Sequence, residues 1–238
     1  MVALGGLVVG GLAVAVAGAG SPDDGLDPSC DRRTSPEPVV AVIDSGVVPL
    51  PVVVPRLAAP RIDLTGEEAG RPDPHGTAMA GIVADRAPEA RLLDVRVLDE
   101  DGRAPADRLA AGVARAVDEG AEVVNVSAEV PAGHPPLVAA LRRADREGAV
   151  VVLAAGNEGR DLDDDPSWAP VAALPCVVVV GAGDGDGELL GASNRGERTL
   201  DVVAPGASVA TTGPDGAPTT AVGTSAAAAV VSGRLAAG

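Results

Sequence analysis

The segment that decides the fold is AEVVNVSAEVPAGHPPLVAALRRADREGAVVVLAAG, residues 121–156. It opens and closes with valine-rich runs, AEVVNVS (121–127) and AVVVLAAG (149–156), of the kind found in parallel strands covered on both faces. Between them, PPLVAALRRADREG (135–148) begins with proline, places its apolar side chains on one stripe and ends at glycine, as helices do. The segment therefore predicts a strand, a helix and a second strand parallel to the first.

The same alternation extends along most of the chain. Three further short apolar runs have the character of buried strands: VVAVID (39–44), ARLLDVRVL (90–98) and CVVVVGA (176–182). Asp107 is predicted to cap a helix that ends at Gly120. Near the C-terminus, residues 208–212 and 218–222 flank a Gly-Pro-Asp-Gly turn and predict a hairpin. Together these elements predict an α/β fold, in which helices flank a mainly parallel, doubly wound central sheet.

The composition excludes several classes of function. The formal charge is −16, and all 18 basic residues are arginine. Without lysine, a Walker-type phosphate loop and Schiff-base catalysis are both excluded. A strongly acidic chain also lacks the basic surface that neutralises phosphates, so no nucleic-acid partner is expected. The acidic balance instead favours cationic substrates. The sequence does not indicate an oligomeric state.

The first 38 residues are expected to precede the folded domain. Residues 1–20 are apolar, uncharged and rich in small residues, which is typical of a secretory signal peptide or of an N-terminal membrane anchor. Residues 21–38 are rich in Pro, Asp and Ser and predict an extended linker. The expected location is therefore secreted or cell-envelope associated, with membrane association through residues 1–20 if these are retained.

Two cysteines, Cys30 and Cys176, fit an exported protein with one disulfide bond. Such a bond would tie the N-terminal linker to a distant strand. The alternative is that Cys176, beside a valine run, is a small buried apolar residue. We favour the disulfide.

Two other segments resemble ligand sites but predict surface turns. In VVVVGAGDGDG (177–187) the spacing of a dinucleotide-binding glycine loop fails, because Asp186 stands where its third glycine is required. The aspartates at positions 161, 163, 164 and 165 lack the spacing of a calcium loop and are expected to be solvated. No cofactor is predicted, and structural calcium is not indicated.

Four residues in separate segments have chemistry that suggests a catalytic site. Asp44 ends a predicted strand, Asn157 follows another, and both therefore lie where ligands bind in open α/β sheets. His75 and Ser225 each stand near the start of a predicted helix. Taken singly, each has a plain structural alternative, such as a turn aspartate or a helix-capping serine. The second histidine, His134, lies in a Pro-rich loop and is expected to be solvated.

Taken together, four segments resemble the subtilisin-like (S8) serine proteases. These are VVAVIDSG (39–46), HGTAMAGIVA (75–84), AAGNEG (154–159) and GTSAAAAVVSG (223–233), in the family's order of Asp, His, Asn and Ser. The resemblance covers residues 39–238 and implies a subtilisin-like three-layer fold and a peptidase domain over that range. GTSAA with VVSG after it is most similar to mycosin-type members of the family.

The resemblance implies a role for each matched residue. Ser225 corresponds to the nucleophile, His75 to the general acid and base, Asp44 to the group that orients His75, and Asn157 to an oxyanion-hole donor. An extended polypeptide substrate would pair with two chain segments that line a groove, namely Ser127, Ala128, Glu129, Ala154, Ala155 and Gly156. The implied activity is that of an exported serine endopeptidase acting through a Ser225 acyl-enzyme.

Some positions depart from the family pattern. Glu129 stands where a glycine is usual, Pro74 precedes the histidine in place of glycine, and Ala229 replaces a proline after the serine. The chain also ends at Gly238, soon after the serine helix, so the domain is expected to be C-terminally short. These departures leave an alternative open: a catalytically impaired pseudoprotease that acts as a binding or scaffolding component of a secretion system.

Overall fold

A computed structural model describes residues 26–66 and 74–238. In these residues the strands are β1 (Val39–Asp44), β2 (Ile62–Asp63), β3 (Arg91–Arg96), β4 (Val123–Val126), β5 (Val150–Ala154), β6 (Val177–Gly183), β7 (Val202–Pro205), β8 (Val209–Thr212) and β9 (Pro218–Ala221). The α-helices are α1 (Pro74–Arg86), α2 (Ala106–Asp118), α3 (Pro135–Arg146), α4 (Ala169–Ala172) and α5 (Thr224–Ala237). Short 3₁₀ turns occupy Val54–Arg56, Leu162–Asp164 and Pro166–Trp168.

Seven strands form one sheet, in the order β2-β3-β1-β4-β5-β6-β7. Every pairing in this sheet is parallel, as the buried valine runs predict. The strands β8 and β9 form a separate antiparallel hairpin, which confirms the predicted one.

Helices cover both faces of the sheet and produce three layers. On one face, α1 and α5 pack on apolar side chains that include Val42, Val152 and Val180. On the other face, α2 and α3 pack on a second cluster that includes Ile43, Val124 and Leu153. Successive residues of a strand point to opposite faces, so one valine-rich strand supplies both cores. The predicted three-layer α/β fold is confirmed.

One detail of the helix prediction is wrong. Asp107 does not cap α2, because the helix already begins at Ala106 and the N-cap residue is Pro105, in an extended conformation. Asp107 lies in the first turn, and its carboxylate contacts His134 Nε2 at 2.8 Å. The predicted stop is sound, since Gly120 follows the helix end with a φ of 80°, which favours glycine.

The segment before β1 is attached to the domain. Cys30 and Cys176 form a disulfide bond, which confirms the favoured pairing. The amide of Arg33 donates a hydrogen bond to the carbonyl of Gly148, and the Ser35 hydroxyl donates one to Glu122. The predicted signal or anchor, residues 1–20, lies outside the described residues. Within them, no helix combines the length and apolar character needed to cross a membrane.

Candidate active site

The candidate site lies at the carboxyl ends of the sheet strands, where the winding direction reverses. From β1 the chain passes through α1 towards β3 on one side, whereas from β4 it passes through α3 towards β5 on the other. The crevice between the ends of β1 and β4 is thus a topological switch point, the usual ligand site of such sheets. Asp44 ends β1 and Ser127 follows β4 at this crevice.

Asp44 and His75 form a hydrogen-bonded pair. Asp44 is fully buried, and its two carboxylate oxygens lie 2.8 and 3.0 Å from His75 Nδ1. Because an ionised carboxylate only accepts hydrogen bonds, the proton of this contact belongs to Nδ1. In the neutral imidazole, Nε2 then carries the lone pair and is the basic atom. Ser45 stabilises the same carboxylate through its amide at 2.7 Å and its hydroxyl at 3.1 Å.

The start of α1 packs tightly on the turn that follows Asp44. A Cβ on Gly76 would lie 2.5 Å from the carbonyl oxygen of Gly46, so the close approach requires glycine at position 76. The amide of Gly76 donates to the Ser45 hydroxyl at 3.1 Å, and the amide of Val48 donates to the Thr77 hydroxyl at 2.9 Å. These contacts fix α1, and with it His75, relative to Asp44.

Ser225 is the second residue of α5, and this position decides between two interpretations of its hydroxyl. The N-cap residue is Gly223, with a φ of 98° and no side-chain capping bond, so Ser225 does not cap the helix. Its amide is among the first N–H groups of α5, which have no acceptor inside the helix and favour negative charge nearby. Ser225 and His75 line the same cleft.

Asn157 is oriented by the residue that precedes Ser225. Its side-chain oxygen accepts hydrogen bonds from the Thr224 amide at 2.9 Å and the Thr224 hydroxyl at 3.2 Å. Because both contacts are donors, they assign the oxygen of the Asn157 amide group and direct Nδ2 away from Thr224. Thr224 also accepts from the Gly156 amide at 3.1 Å. Asn157 and Ser225 are therefore tied together through Thr224.

The cleft has a volume of about 920 Å³ and contains all of the predicted substrate-contacting residues, Ser127, Ala128, Glu129, Ala154, Ala155 and Gly156, together with Ser225. The Ser127 hydroxyl also donates to the backbone carbonyl of Ser225 at 3.3 Å. The two predicted groove segments thus flank the start of α5, at the carboxyl ends of β4 and β5.

Asn194 is a structural residue of the site that sequence reasoning did not single out. It is buried, and its Oδ1 accepts from the amides of Glu158 and Arg160, while its Nδ2 donates to Ala155 and to the Glu158 carboxylate. It therefore fixes the loop after β5 that carries Asn157. The one sequence signal was the segment ASNRG (192–196), which has a counterpart in the resembled family.

The remaining candidate segments have structural contacts. Asp161 and Asp165 each cap a 3₁₀ turn, and Asp163 accepts from the hydroxyl of Thr199. Asp184 accepts from the amides of Asp186 and Glu188, so the glycine-rich segment after β6 forms an acidic turn. In the described ranges, no group of three or more His, Cys, Asp or Glu side chains is arranged to hold a metal ion.

Comparison with known proteins gives a consistent family. The model of the Subtilase family (Peptidase_S8) matches residues 35–237. The major intracellular serine protease of Bacillus subtilis (strain 168) is 34% identical over 190 residues, which cover 73% of this chain and 59% of that protein. Subtilisin E of the same strain is 34% identical over 171 residues, which cover 68% of this chain and 44% of that protein. The chain thus spans about half the length of these relatives.

Solved structures agree with the sequence comparison. A lanthipeptide protease superimposes with a TM-score of 0.72 at 25% identity, covering 85% of this chain and 73% of that one. A cold-adapted subtilisin-like serine proteinase gives a TM-score of 0.68 at 28% identity, covering 85% and 76% of the two chains. With a family model that matches nearly the whole described chain, the conclusion is plain: the chain belongs to the subtilase family of serine proteases.

Proposed function

We propose that the protein is a serine endopeptidase that hydrolyses peptide bonds through a Ser225 acyl-enzyme. The observation that carries this proposal is the hydrogen bond between the buried Asp44 and His75, in the cleft that Ser225 also lines. In the proposed reaction, the Ser225 oxygen attacks the peptide carbonyl while His75 Nε2 takes the hydroxyl proton. His75 then gives that proton to the leaving amine. Water hydrolyses the ester by the same route, and Asp44 stabilises the imidazolium in both steps.

The developing oxyanion would be bound by Asn157 Nδ2 and by the backbone amide of Ser225. Both donors suit this role, since Thr224 directs the Asn157 amide group and the Ser225 amide lies at the start of a helix. Donors that are fixed before the reaction stabilise the transition state without a reorganisation cost.

The proposed substrate is an extended polypeptide with basic side chains near the cleaved bond. An extended peptide would pair with the groove segments that follow β4 and β5, in the manner of an added strand. Carboxylates outnumber Arg160 along the described cleft wall; they are Glu100, Asp101, Glu129, Glu158, Asp161 and Asp165. Three of these are engaged, because Glu158 accepts from Asn194, Asp161 lies 3.5 Å from Arg195 and Asp165 caps a turn. Glu129 is exposed to solvent, so its charge is accessible to a substrate.

We further propose that the protein is exported. The Cys30–Cys176 disulfide supports this, since such bonds persist in oxidising compartments. The alternative, a pseudoprotease within a secretion system, would gain if Asp44, His75 and Ser225 did not converge. The Asp44–His75 contact of 2.8 Å and the position of Ser225 in the same cleft support the enzyme instead.

The proposal is tested by labelling the oxidised, folded protein with a fluorophosphonate probe and locating the label by peptide mass spectrometry. We expect a single label on Ser225 and none in a Ser225→Ala variant. A peptide-library cleavage profile of the same two proteins then identifies the substrate. A folded wild-type protein that neither labels nor cleaves would contradict the endopeptidase proposal, and cleavage that persists in Ser225→Ala would identify a contaminant.

A further inference from the structure

Asp94 is a buried carboxylate that the proposed chemistry does not use. Asp94 lies on β3 and pairs with Val42 of β1. Val42 is two residues before Asp44, so Asp94 lies on the same face of the sheet as Asp44. Its side chain is 4% exposed. One oxygen, Oδ2, accepts from Arg61 Nε at 2.7 Å and from the Val47 amide at 3.1 Å. The other, Oδ1, has no hydrogen-bond partner in the described part of the chain.

Arg61 binds the same part of the chain, the turn at residues 45–47 that follows Asp44. Its guanidinium also donates to the carbonyl of Val47, so the Asp94–Arg61 pair binds both backbone polar groups of that residue. The guanidinium packs beside Gly46 as well, 3.3 Å from the position that a Cβ would occupy there. Gly46 has a φ of 93°, which favours glycine. Because glycine is conformationally permissive, the shape of the turn depends on these contacts.

This turn connects the two partners of the proposed catalytic pair. The turn directly follows Asp44, and its central residue, Gly46, packs against Gly76 of α1. Ser45 contacts both sides, because it donates to Asp44 and accepts from the Gly76 amide. A displacement of Val47 would therefore move Asp44 relative to His75.

We propose that Asp94 and Arg61 act as a positioning pair that sets the alignment of Asp44 with His75. This inference rests on the proposed endopeptidase function. A buried carboxylate with one unpaired oxygen is costly for folding. We therefore assign the pair a geometric role: its two charged side chains fix one residue of the turn, Val47, through both its N–H and its C=O.

The charge of Asp94 also acts on the pair. The charged groups around it are Arg61, Asp44 with its partner His75, and Arg96 on the same strand, which forms an ion pair with Asp63. A second negative charge near Asp44 stabilises the protonated form of His75. Removing it should shift the acidic limb of the kcat/KM profile to lower pH by a few tenths of a unit.

The test compares Asp94→Ala, Asp94→Asn and Arg61→Gln with the wild type. We expect kcat to fall about tenfold in Asp94→Ala with KM unchanged, because misalignment affects the reacting groups and not the groove. Asp94→Asn retains an acceptor for the Val47 amide, so it should recover part of kcat while still shifting the acidic limb. The matched control is Asp63→Asn on the neighbouring strand β2, because it removes a carboxylate charge that does not contact the turn.

A second measurement does not depend on turnover. The low-field proton NMR resonance of His75 Nδ1–H reports its hydrogen bond to Asp44, and its titration should move in Asp94→Asn and Arg61→Gln but not in Asp63→Asn. If the wild type proves inactive, this resonance still tests the positioning pair. Variants that lose stability but retain the wild-type kcat, pH profile and resonance would overturn the inference. If Asp94→Ala does not fold, the partly exposed Arg61 provides the same comparison.

Discussion

At the residue scale, two carboxylates illustrate how location determines the effect of a charge. Asp94 is buried on β3, the strand next to β1 and Asp44, whereas Glu129 is exposed at the cleft. A buried charge affects the folding equilibrium, because the unfolded chain returns it to water. An exposed charge beside a substrate site affects substrate choice and has little effect on folding.

Asp94 should make folding stability depend on pH. Burial raises its pKa in the folded protein, and the negative charge of Asp44 raises it further, against the hydrogen bond from Arg61. Between the unfolded and folded pKa values the folded state binds more protons, so stability falls as the pH rises through this window from about 4. Over this pH range, the free energy of unfolding measured with urea should fall in the wild type relative to Asp94→Asn. A difference independent of pH would contradict the assignment.

Glu129 should favour substrates with arginine or lysine near the cleaved bond. In Glu129→Gln we expect KM for a cationic peptide to rise about two- to fivefold, with KM for a neutral peptide unchanged, because an accessible charge pair contributes at most about 1 kcal/mol. Raising the salt concentration should reduce the difference. The control is Glu147→Gln, an exposed carboxylate beyond the end of α3. Equal effects on both peptides would mean that Glu129 acts through the shape of the groove.

At the element scale, α1 and α5, the helices that carry His75 and Ser225, pack directly against each other. The residues Ala226, Ala227, Ala228 and Ala229 of α5 are all fully buried against the sheet and α1. Position 229, where the resembled family has proline, is thus filled by a small apolar side chain inside a regular helix. These small residues let the two helices pack closely. Close packing thus fills the space that aromatic side chains, absent from this core, would otherwise occupy.

At Gly233 the two helices approach closely. A Cβ there would lie 2.5 Å from Cβ of Arg86, and neither atom can move without its helix. Gly233→Ala should therefore lower the free energy of unfolding by about 1–3 kcal/mol, despite the better helix propensity of alanine. Thermal unfolding checks this against Gly185→Ala, where a Cβ would meet nothing within 4 Å. Equal stability of both variants would show that the helices separate at no cost.

Elements with a strong local pattern could be predicted from the sequence. The run VVAVID gives β1 with its observed bounds, since a continuous valine-rich stretch suits a strand buried on both faces. By contrast, β2 has two residues and β7 ends in proline, so their strand character depends on neighbouring strands and was not predicted. The predicted cap of α2 is wrong because Pro105 takes the N-cap position and the helix begins at Ala106, one residue before Asp107.

The residues of the candidate site also fall into two groups: some could be predicted from local sequence and others could not. Asp44, His75, Asn157 and Ser225 stand in short segments whose local pattern is recognisable, and the fold brings them to one edge of the sheet. Arg61 and Asp94 are 33 residues apart, and nothing near either of them in the sequence indicates their pairing. Their contact follows from the register of β2 and β3, in which Ile62 pairs with Val95 and Arg61 therefore lies beside Asp94, and local sequence does not determine that register.

At the scale of the whole molecule, the Cys30–Cys176 bond links residues 146 positions apart. In the chain-entropy model a loop of this length stabilises the folded state by roughly 4–5 kcal/mol. The double variant Cys30→Ser/Cys176→Ser, or wild type with a reductant, should unfold at a correspondingly lower urea concentration. The reductant should not affect the double variant. If wild type unfolds at the same concentration with and without reductant, the bond contributes nothing to stability.

The same bond turns residues 30–176 into a covalent ring, with Asp44, His75 and Asn157 inside it and Ser225 outside. A protein with the proposed activity would be exposed to self-cleavage, and a cut at one peptide bond normally releases two fragments. Here a single cut inside the ring would leave both pieces joined, with Ser225 still attached to Asp44 and His75. Autolysis at one bond would thus produce an intact two-chain molecule, which separates only when the disulfide is reduced.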